Sequence, residues 1–496
     1  MKRYVLSILA TALSVSQAFA QTYSGQTYLA PRTTHSYAIG SGVAHAAHGK
    51  KEANRFGGTV SVLGFYRKSH NDKDLKTYFG GGSAAASNAN GTIEVAPVAS
   101  ATTQSTYGYF VDHASSDISK AMSGTINISP ERISYGARIS YSQALDSLSK
   151  GLFMQCDLPL ERVETNMGLK VANGIKSQVG TKKGLEDYLA GADLGKTGVD
   201  AQEKLSYARI PADSSEQNIA TGAADLRIAL GYHLVTDKNF TVDVCAHGIV
   251  PTGNSVDGVN LFQSVYGNGG HYALGLGTHM MYNLWHGNHC KTHVDLSIDA
   301  DYSYLFESSQ MRTMGIYNNL KSESLAAASY HLLGKVGATT ATPGANALTQ
   351  KCDVTPGSVF DANATIGVRH HDFTFKGFYN LFARQEERIV LRNEWADGTF
   401  GLLDENTAVN TAIAVGGALK QGTINNDTSQ TYALTTDPCT TKAQITHTVG
   451  GSVGYTFKKM RFPVSLSLGG SYEFDPQDSN TAITSWSCFG TVSACF

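Results

Sequence analysis

The feature that most constrains the fold of this sequence is a set of long segments in which apolar and polar residues alternate. In the longest, residues 292–306, every second side chain is apolar or aromatic, and the others are mostly Asp, Ser and His. A period of two predicts β-strands with one apolar and one polar face. Segments 224–234, 240–247 and 464–474 repeat the pattern, so we predict an all-β protein.

Strand length and side-chain chemistry separate a membrane barrel from a soluble sandwich, since strands of both have one apolar and one polar face. Several predicted strands exceed the five or six residues usual in globular sheets and reach the roughly 9–11 residues that a tilted strand needs to cross a bilayer. The polar face is rich in Gly, Ser, Asp, Arg and His, which suits a lumen. Aromatic residues gather at strand ends on the apolar face, where membrane barrels carry their girdles: Tyr302, Tyr304, Phe306, Tyr455, Phe457, Tyr472 and Phe474.

Composition excludes two other classes of protein. Charged residues make up 16% of the 496 residues and the net charge is −2, so no basic excess exists to bind nucleic acid. The mean hydropathy of −0.18 argues against a bundle of transmembrane helices. An antiparallel transmembrane β-barrel accounts for a chain that is rich in Gly and Tyr and poor in charge.

The N-terminus predicts export. Lys2 and Arg3 precede an apolar stretch from Val5 to Val15, and Ala18 and Ala20 supply the small residues of a cleavage site. We therefore predict a cleaved secretory signal peptide at 1–20, an N-terminal periplasmic or plug-like segment at 21–56, and the barrel at 57–496.

The alternation predicts an up-and-down barrel of about 14 strands, with 12 and 16 as alternatives. Four connections are short, at 237–239, 287–288, 370–372 and 458–461, and counting from the last strand places all four on the periplasmic side. Long loops fall on the extracellular side, as in bacterial barrels. The predicted strands are 57–67, 105–113, 120–129, 131–143, 150–163, 222–235, 240–250, 269–285, 289–306, 358–370, 373–384, 443–457, 462–474 and 484–496.

The last strand carries a family resemblance. It alternates through Gly490, Val492 and Ala494 and ends at Phe496, which resembles the terminal assembly signal of Gram-negative outer-membrane β-barrel proteins of the porin-like type. The resemblance implies residence in the bacterial outer membrane, contact with lipid and lipopolysaccharide, and recognition by the barrel-assembly machinery. It leaves open whether the barrel forms a homo-oligomer.

Function in such a barrel depends on inward side chains and outer loops. Rings of inward charge bias ion selectivity, and an acidic run from one strand would favour cations. The alternative is that these charges pair with one another and fill the lumen. The candidate pore-lining residues are Arg138, Asp225, Arg227, Asp243, His247, Asp295, Asp299, Asp301, Arg369, Lys376 and Arg384.

Other motifs favour structural roles. Cys352 and Cys439 lie in long loops of an oxidising compartment and are the best-placed pair for a disulfide. His286, His289, Cys290 and His293 could suggest a metal site. Gly287-Asn288 is a strong hairpin turn with His286 and His289 at its base, which favours a structural turn over a metal site. We expect no enzyme, no cofactor and no metal.

These features favour a porin-like channel for passive diffusion of small hydrophilic solutes or ions. The alternative is a surface-exposed adhesin or structural barrel that acts through its long extracellular loops. Uptake of hydrophobic compounds is a weaker option, because inward apolar clusters are expected to be sparse.

Overall fold

The computed structural model describes the following residues: 26–30, 32, 35, 57–70, 92–95, 124–127, 129–172, 185–192, 203–211, 218–237, 239–287, 292–318, 323–325, 330, 332–335, 341–393, 395–402, 432–475 and 483–496. Within them, the dominant structure is one antiparallel sheet that closes into a barrel of twelve strands. The strands are β1 (Gly58–Ser69), β2 (Glu131–Ala144), β3 (Leu152–Asn166), β4 (Leu226–Thr236), β5 (Phe240–Val250), β6 (Ala273–His286), β7 (Thr292–Leu305), β8 (Gly357–His370), β9 (Phe373–Arg384), β10 (Gln444–Phe457), β11 (Val464–Phe474) and β12 (Ser485–Cys495).

Each strand pairs with its neighbours in sequence, and β1 pairs with β12 to close the ring. At this seam the backbone N–H of Phe496 donates to the carbonyl of Gly58 at 2.9 Å, and the N–H of Gly58 donates back at 3.0 Å. Closure leaves the twelve strands without an unpaired edge. Phe496, the predicted assembly signal, therefore lies at the seam that completes the barrel.

The prediction of 14 strands was wrong, and the first alternative of twelve is confirmed. Segment 105–113 lies outside the described residues. Among the described residues of 120–129, Gly124–Asn127 forms a strand, and it pairs with Thr92–Val95 and Lys170–Ala172 in a separate sheet. Alternation reveals a strand with two faces, but it does not reveal which sheet the strand joins.

A thirteenth strand, Ile219–Ala223, pairs with β3 beside the start of β4. The sequence predicted one continuous strand over 222–235, whereas the chain breaks regular pairing at Ala224 and Asp225 before β4 begins. Segment 202–210, which the alternative of 16 strands needed, has only an isolated bridge between Arg209 and Asn260 among its described residues.

The two ends of the barrel differ. We call the turn end the one that carries connections 145–151, 237–239, 287–291, 371–372 and 458–463, and the loop end the one that carries 70–130, 167–225, 251–272, 306–356, 385–443 and 475–484. Three small sheets lie in loop-end connections: Ser308–Thr313 with Thr349–Thr355 and Arg388–Leu391; Gly315–Asn318 with Glu323–Leu325 and Tyr432–Thr435; Leu332–Lys335 with Ala341–Pro343 and Phe400–Leu402. Short helices cover Leu185–Leu189, Gly344–Leu348 and Asp437–Cys439. No helix among the described residues is both long and apolar enough to span a membrane.

The outer face of the barrel is apolar. Leu468, 70% exposed, lies at the middle of β11, and Leu276, 65% exposed, lies in the loop-end half of β6, both on the outward register. Exposed aromatic residues flank this belt. Tyr302, Tyr304, Phe306 and Tyr472 lie near the loop end, and Phe240, Phe373, Phe457 and Trp285 lie near the turn end. Two aromatic girdles around an apolar belt are typical of a barrel that spans a bilayer.

Inside the barrel, phenylalanine rings lie over glycines of the neighbouring strand. Phe153 faces Gly231, Phe378 faces Gly450 and Phe489 faces Gly469, each directly across a strand pair. A Cβ added at these glycines would lie 2.2–2.5 Å from the ring. Glycine is required there because the ring occupies the space that any side chain would need.

Candidate functional site

The lumen contains most of the predicted pore-lining residues. Nine of them lie on inward-facing strand positions: Arg138, Arg227, Asp243, His247, Asp295, Asp299, Asp301, Arg369 and Lys376. Arg384 is buried at the loop end of β9. Asp225 is the exception, because it lies in the break before β4.

One side of the lumen, formed by β3 to β8, has ion pairs between neighbouring positions of the wall itself. Arg227 lies 3.4 Å from Asp157 and 3.0 Å from Asp301, so one guanidinium joins two carboxylates. We call the residues Asp157, Arg227, His233, Asp243, His247, His279, Asp295, Asp299, Asp301 and Arg369 the self-paired wall.

The acidic run of β7 belongs to this wall and has a basic or histidine neighbour at each carboxylate. Asp295 lies 3.4 Å from Arg369, Asp299 lies 2.7 Å from Nδ1 of His279, and Asp301 lies 3.0 Å from Arg227. On β4 and β5, Nδ1 of His233 lies 2.6 Å from Asp243. The geometry therefore favours the interpretation in which these charges pair with one another.

The opposite side of the lumen, formed by β8 to β11, receives its cation from the N-terminal segment. Arg32 is buried and its Nη1 lies 2.8 Å from Oε1 of Glu473, 3.4 Å from Thr446 and 3.3 Å from Thr448. We call the residues Asp361, Asn380, Thr446, Thr448 and Glu473 the Arg32-binding wall.

The second nitrogen of the same guanidinium reaches β8 and β9. Nη2 of Arg32 lies 3.5 Å from Asp361 and hydrogen-bonds to Oδ1 of Asn380, while its guanidinium lies 4.4 Å from the centre of the Phe382 ring. Glu473 also contacts Arg67 of β1. One residue that belongs to no barrel strand thus contacts four strands of the wall, β8 to β11.

Other residues of the N-terminal segment fix it at the loop end. The hydroxyl of Thr27 donates to the carbonyl of Thr313 at 2.7 Å, and the ring of Tyr28 lies 3.4 Å from the guanidinium carbon of Arg312. Nε2 of His35 lies 2.7 Å from the carbonyl of Asp225. The described part of this segment therefore crosses the lumen from one wall to the other.

A buried ion-pair network holds the loops above it. Arg312 lies 3.4 Å from Glu387, and Arg384 lies 4.0 Å from the same carboxylate. The backbone N–H of Thr441 donates to Glu387 at 3.0 Å. Burial alone would raise the pKa of Glu387, but Arg312 and Arg384 together hold that pKa below its usual range. The carboxylate is therefore charged at neutral pH and links two long loops.

Asp225 has a structural role at the break before β4. Its carboxylate accepts hydrogen bonds from the backbone N–H groups of Gly253 at 3.1 Å and Asn268 at 2.5 Å. Burial outweighs these bonds and raises the pKa of Asp225 to about 6. The side chain fixes the connection between β5 and β6.

An apolar cluster also faces the lumen, contrary to the expectation that such clusters are sparse. Leu63, Phe65, Phe378 and Phe489 are buried against one another. They come from β1, β9 and β12. The lumen therefore has an aromatic surface beside its charged walls.

The cysteine and histidine predictions concern groups at opposite ends of the barrel. Cys352 and Cys439 are buried free thiols in this structure. Burial raises the pKa of Cys352 to about 11 and that of Cys439 further. Nδ1 of His286 lies 2.7 Å from Nδ1 of His293 across the β6–β7 pair. Among the described residues, no group of three His, Cys, Asp or Glu side chains could hold a metal ion.

One sequence match to a catalytic motif does not have the required geometry. Residues 450–454 read Gly-Gly-Ser-Val-Gly, which fits the G-x-S-x-G pattern of serine hydrolases. These residues lie in the middle of β10, whereas the motif needs a sharp turn between a strand and a helix. Ser452 is therefore an ordinary strand residue.

Several lumen residues were missed by the sequence prediction. Asp157 and Glu161 lie on the inward register of β3, and Asp361 and Glu473 lie on that of β8 and β11. The same alternation that identified Asp295 could have identified them. Arg32 belongs to no strand, so periodicity gives no signal for it.

The closed barrel, its apolar outer belt and its polar lumen form the architecture of an outer-membrane, porin-like β-barrel. No family model and no curated protein matches the sequence. Among solved structures, an outer-membrane channel from Pseudomonas putida F1 is similar with a TM-score of 0.37 and 11% identity, covering 90% of this chain and 98% of that chain.

Two other solved barrels are similar at lower scores. The translocator domain of the autotransporter NalP from Neisseria meningitidis has a TM-score of 0.34 and 6% identity, covering 92% of each chain. The Pseudomonas putida toluene transporter TodX has a TM-score of 0.31 and 9% identity, covering 95% of each chain. All three similarities are weak.

Proposed function

We propose that this protein is an outer-membrane channel for the passive diffusion of small hydrophilic solutes or ions. The observation that carries the proposal is the lumen itself, in which charged residues of both signs line a barrel whose outer face is apolar. Charges are costly in a dry interior, so a wall with this many ionised groups is best accounted for by water in the lumen.

In this proposal the N-terminal segment acts as a plug. Arg32 seats it on the Arg32-binding wall, and Thr27 and Tyr28 fix it under the loops. With the segment in place the free path is narrow, and with the segment released the lumen is wider. The turn end then faces the periplasm and the loop end faces the medium, because the short connections of bacterial barrels lie on the periplasmic side.

Planar-bilayer recording of the purified, folded protein tests the channel. We expect discrete conductance steps, and larger or more frequent steps when Arg32 is replaced. The matched control is a heat-unfolded aliquot in the same detergent, which should give none. Persistent silence from folded wild-type protein and from the Arg32 variant would contradict the proposal.

The membrane partners follow from the outer face. The belt between the two aromatic girdles would contact lipid, and the exposed loop-end residues would contact lipopolysaccharide. Phe496 would be read by the barrel-assembly machinery before it closes the seam with Gly58. Replacing Phe496 with Ala should lower the amount of heat-modifiable barrel in the outer membrane more than it lowers synthesis of the chain.

A second candidate is a surface-binding barrel that acts through its loops. The buried network of Arg312, Arg384 and Glu387 favours it, because such a network gives the loop end a fixed shape. Protease treatment of intact cells distinguishes the two. Loss of surface attachment with unchanged solute uptake would favour the binding role, whereas changed uptake alone would favour the channel.

A further inference from the structure

A cavity of about 70 Å³ lies at the loop end of the lumen, between the N-terminal segment and strands β1–β3 and β10–β12. Arg32, Arg67 and Arg132 line it together with Glu161 and Glu473, and most of the remaining lining is hydroxyl or amide side chains. The volume exceeds the roughly 10–15 Å³ that one water needs. It has room for several waters or for one small solute.

The lining of this cavity has more cationic than anionic side chains. Three guanidinium groups and two carboxylates line it. Glu473 is already satisfied, since it contacts Arg32 at 2.8 Å, Arg67, and the hydroxyl of Thr446 at 2.9 Å. Arg32 also lies 3.5 Å from Asp361, which does not line the cavity. Arg32 and Arg67 therefore have carboxylate partners, Asp361 and Glu473, outside the side of the cavity where Arg132 and Glu161 lie.

Two guanidinium nitrogens also have unmet hydrogen-bonding capacity. Nη1 of Arg132 and Nε of Arg32 are buried and have no hydrogen-bond acceptor in the described part of the chain. Nη2 of Arg132 donates to the carbonyl of Val265 at 3.2 Å, which fixes the orientation of the group. A buried N–H without an acceptor is unfavourable, so this cavity favours an occupant that accepts hydrogen bonds.

We propose that the cavity binds a small carboxylate monoanion. Guanidinium groups recognise carboxylates through paired N–H donors, and the two guanidinium groups with unmet donors, those of Arg132 and Arg32, lie on the same lining. Glu161 disfavours a second negative charge, so a monoanion binds better than phosphate, which is partly divalent at neutral pH and mostly divalent above it. This inference rests on the proposed function in one respect, since it names the class of solute that the lumen admits.

Calorimetric titration of the folded protein in detergent, with sodium acetate at constant ionic strength, measures binding without conduction. We expect saturable binding of acetate and weaker binding of inorganic phosphate. Arg132→Gln should weaken acetate binding by at least about tenfold, the loss expected for one hydrogen bond to a charged group. Arg132→Lys keeps the charge but loses the paired donors, and its affinity should lie between the two.

The matched control is Arg162→Gln. Arg162 lies at nearly the same height of the barrel, opposite Tyr135, but on the outer face of β3, where it pairs with Glu164 at 2.6 Å. The Arg162→Gln substitution removes one positive charge, as Arg132→Gln does, but it does not alter the cavity. Acetate affinity should therefore be unchanged. Heat modifiability on gels confirms that each variant is folded.

Absence of saturable acetate binding to folded wild-type protein would overturn the inference and leave the cavity to water. Equal weakening by Arg132→Gln and Arg162→Gln would overturn it too, because a diffuse charge effect would then explain binding. Tighter binding of phosphate than of acetate would overturn the preference for a monoanion. Acetate binding by a barrel that never conducts would reject the channel and retain the site.

Discussion

The two sides of the lumen balance their charges in different ways. In the self-paired wall, Arg227 joins Asp157 and Asp301, and the wall's own strands supply both signs. In the Arg32-binding wall, Asp361 and Glu473 receive Arg32 from a segment that belongs to no barrel strand. The first wall is complete without the N-terminal segment, whereas the second is not.

The difference shows how one lumen can be both stable and closable. A wall that supplies its own counter-charges has no electrostatic need for an inserted segment. The Arg32-binding wall has two carboxylates, and the barrel strands place one cation beside it, Arg67 of β1. This wall therefore attracts a second cation. The N-terminal segment therefore binds on the side of the lumen where the barrel strands supply too few cations for their carboxylates.

The largest expected effect comes from Arg32→Ala. Removing one partner of a buried ion pair costs about 3 kcal/mol, and here it leaves Asp361 and Glu473 with less positive charge nearby. We expect the N-terminal segment to become susceptible to protease while the barrel stays heat-modifiable. Limited proteolysis followed by mass spectrometry measures this release.

The control for that experiment is Lys68→Ala. Lys68 pairs with Glu131 at 2.7 Å on the outer face, and both side chains are more than a third exposed. Surface pairs of this kind contribute at most about 1 kcal/mol, so the segment should stay protected. If the N-terminal segment were equally protected in Arg32→Ala and in wild type, its binding to the lumen would not depend on the Arg32 ion pairs.

A smaller effect is expected for Arg227→Gln in the self-paired wall. Two carboxylates lose their shared cation, but the side chains of Arg227 and Asp301 are partly exposed to the lumen. We expect a loss of about 2 kcal/mol and a shift of the reversal potential towards cation selectivity. The N-terminal segment should remain protected, and its release would contradict the division into two walls.

The sequence predicts the self-paired wall far better than the Arg32-binding wall. Asp295, Asp299 and Asp301 are identified by alternation along one strand, and their partners lie on strands found in the same way. Arg32 contacts residues more than 300 positions away, such as Asp361 and Glu473. No local period encodes a contact between a non-strand segment and a wall, because that contact exists only after the barrel has closed.

The strand count failed for a related reason. Gly124–Asn127 has strand character, but it joins a small sheet with Thr92–Val95 and Lys170–Ala172. Pattern identifies the extended backbone, whereas partners decide whether it joins the barrel. Prediction of the twelve barrel strands succeeded because each of them has a lipid-facing and a lumen-facing side along its whole length.

Substitutions that disturb side-chain packing should destabilise both sides of the lumen to a similar extent, unlike the charge substitutions above. Gly450→Ala would place a methyl group against the Phe378 ring and the carbonyl of Gly470, and Gly231→Ala would do the same against Phe153. We expect each to lower the free energy of unfolding by about 1.5 kcal/mol. Chemical unfolding curves of the two variants measure this loss.

Gly377→Ala is the matched control on β9. A Cβ there meets no atom within 4 Å, so no clash arises and stability should change little. If Gly377→Ala destabilised the barrel as much as Gly450→Ala, the loss would come from the backbone of the strand and not from the ring. The ring-over-glycine arrangement would then have no energetic role.

The most local expected effect depends on pH and concerns Asp225, which lies between the self-paired side and the loops. Because burial raises the pKa of Asp225 to about 6, above its value of about 4 in an unfolded chain, the folded protein holds the proton more tightly. This contribution to stability is complete below about pH 4 and declines as the pH rises through about 6, by up to about 3 kcal/mol. Asp225→Asn should remove the dependence, since an amide does not titrate, although its single oxygen can accept from only one of the N–H groups of Gly253 and Asn268. Hydrogen exchange of residues 251–272 between pH 4 and 7 measures it: protection that declines equally in wild type and Asp225→Asn would assign the pH response to another group.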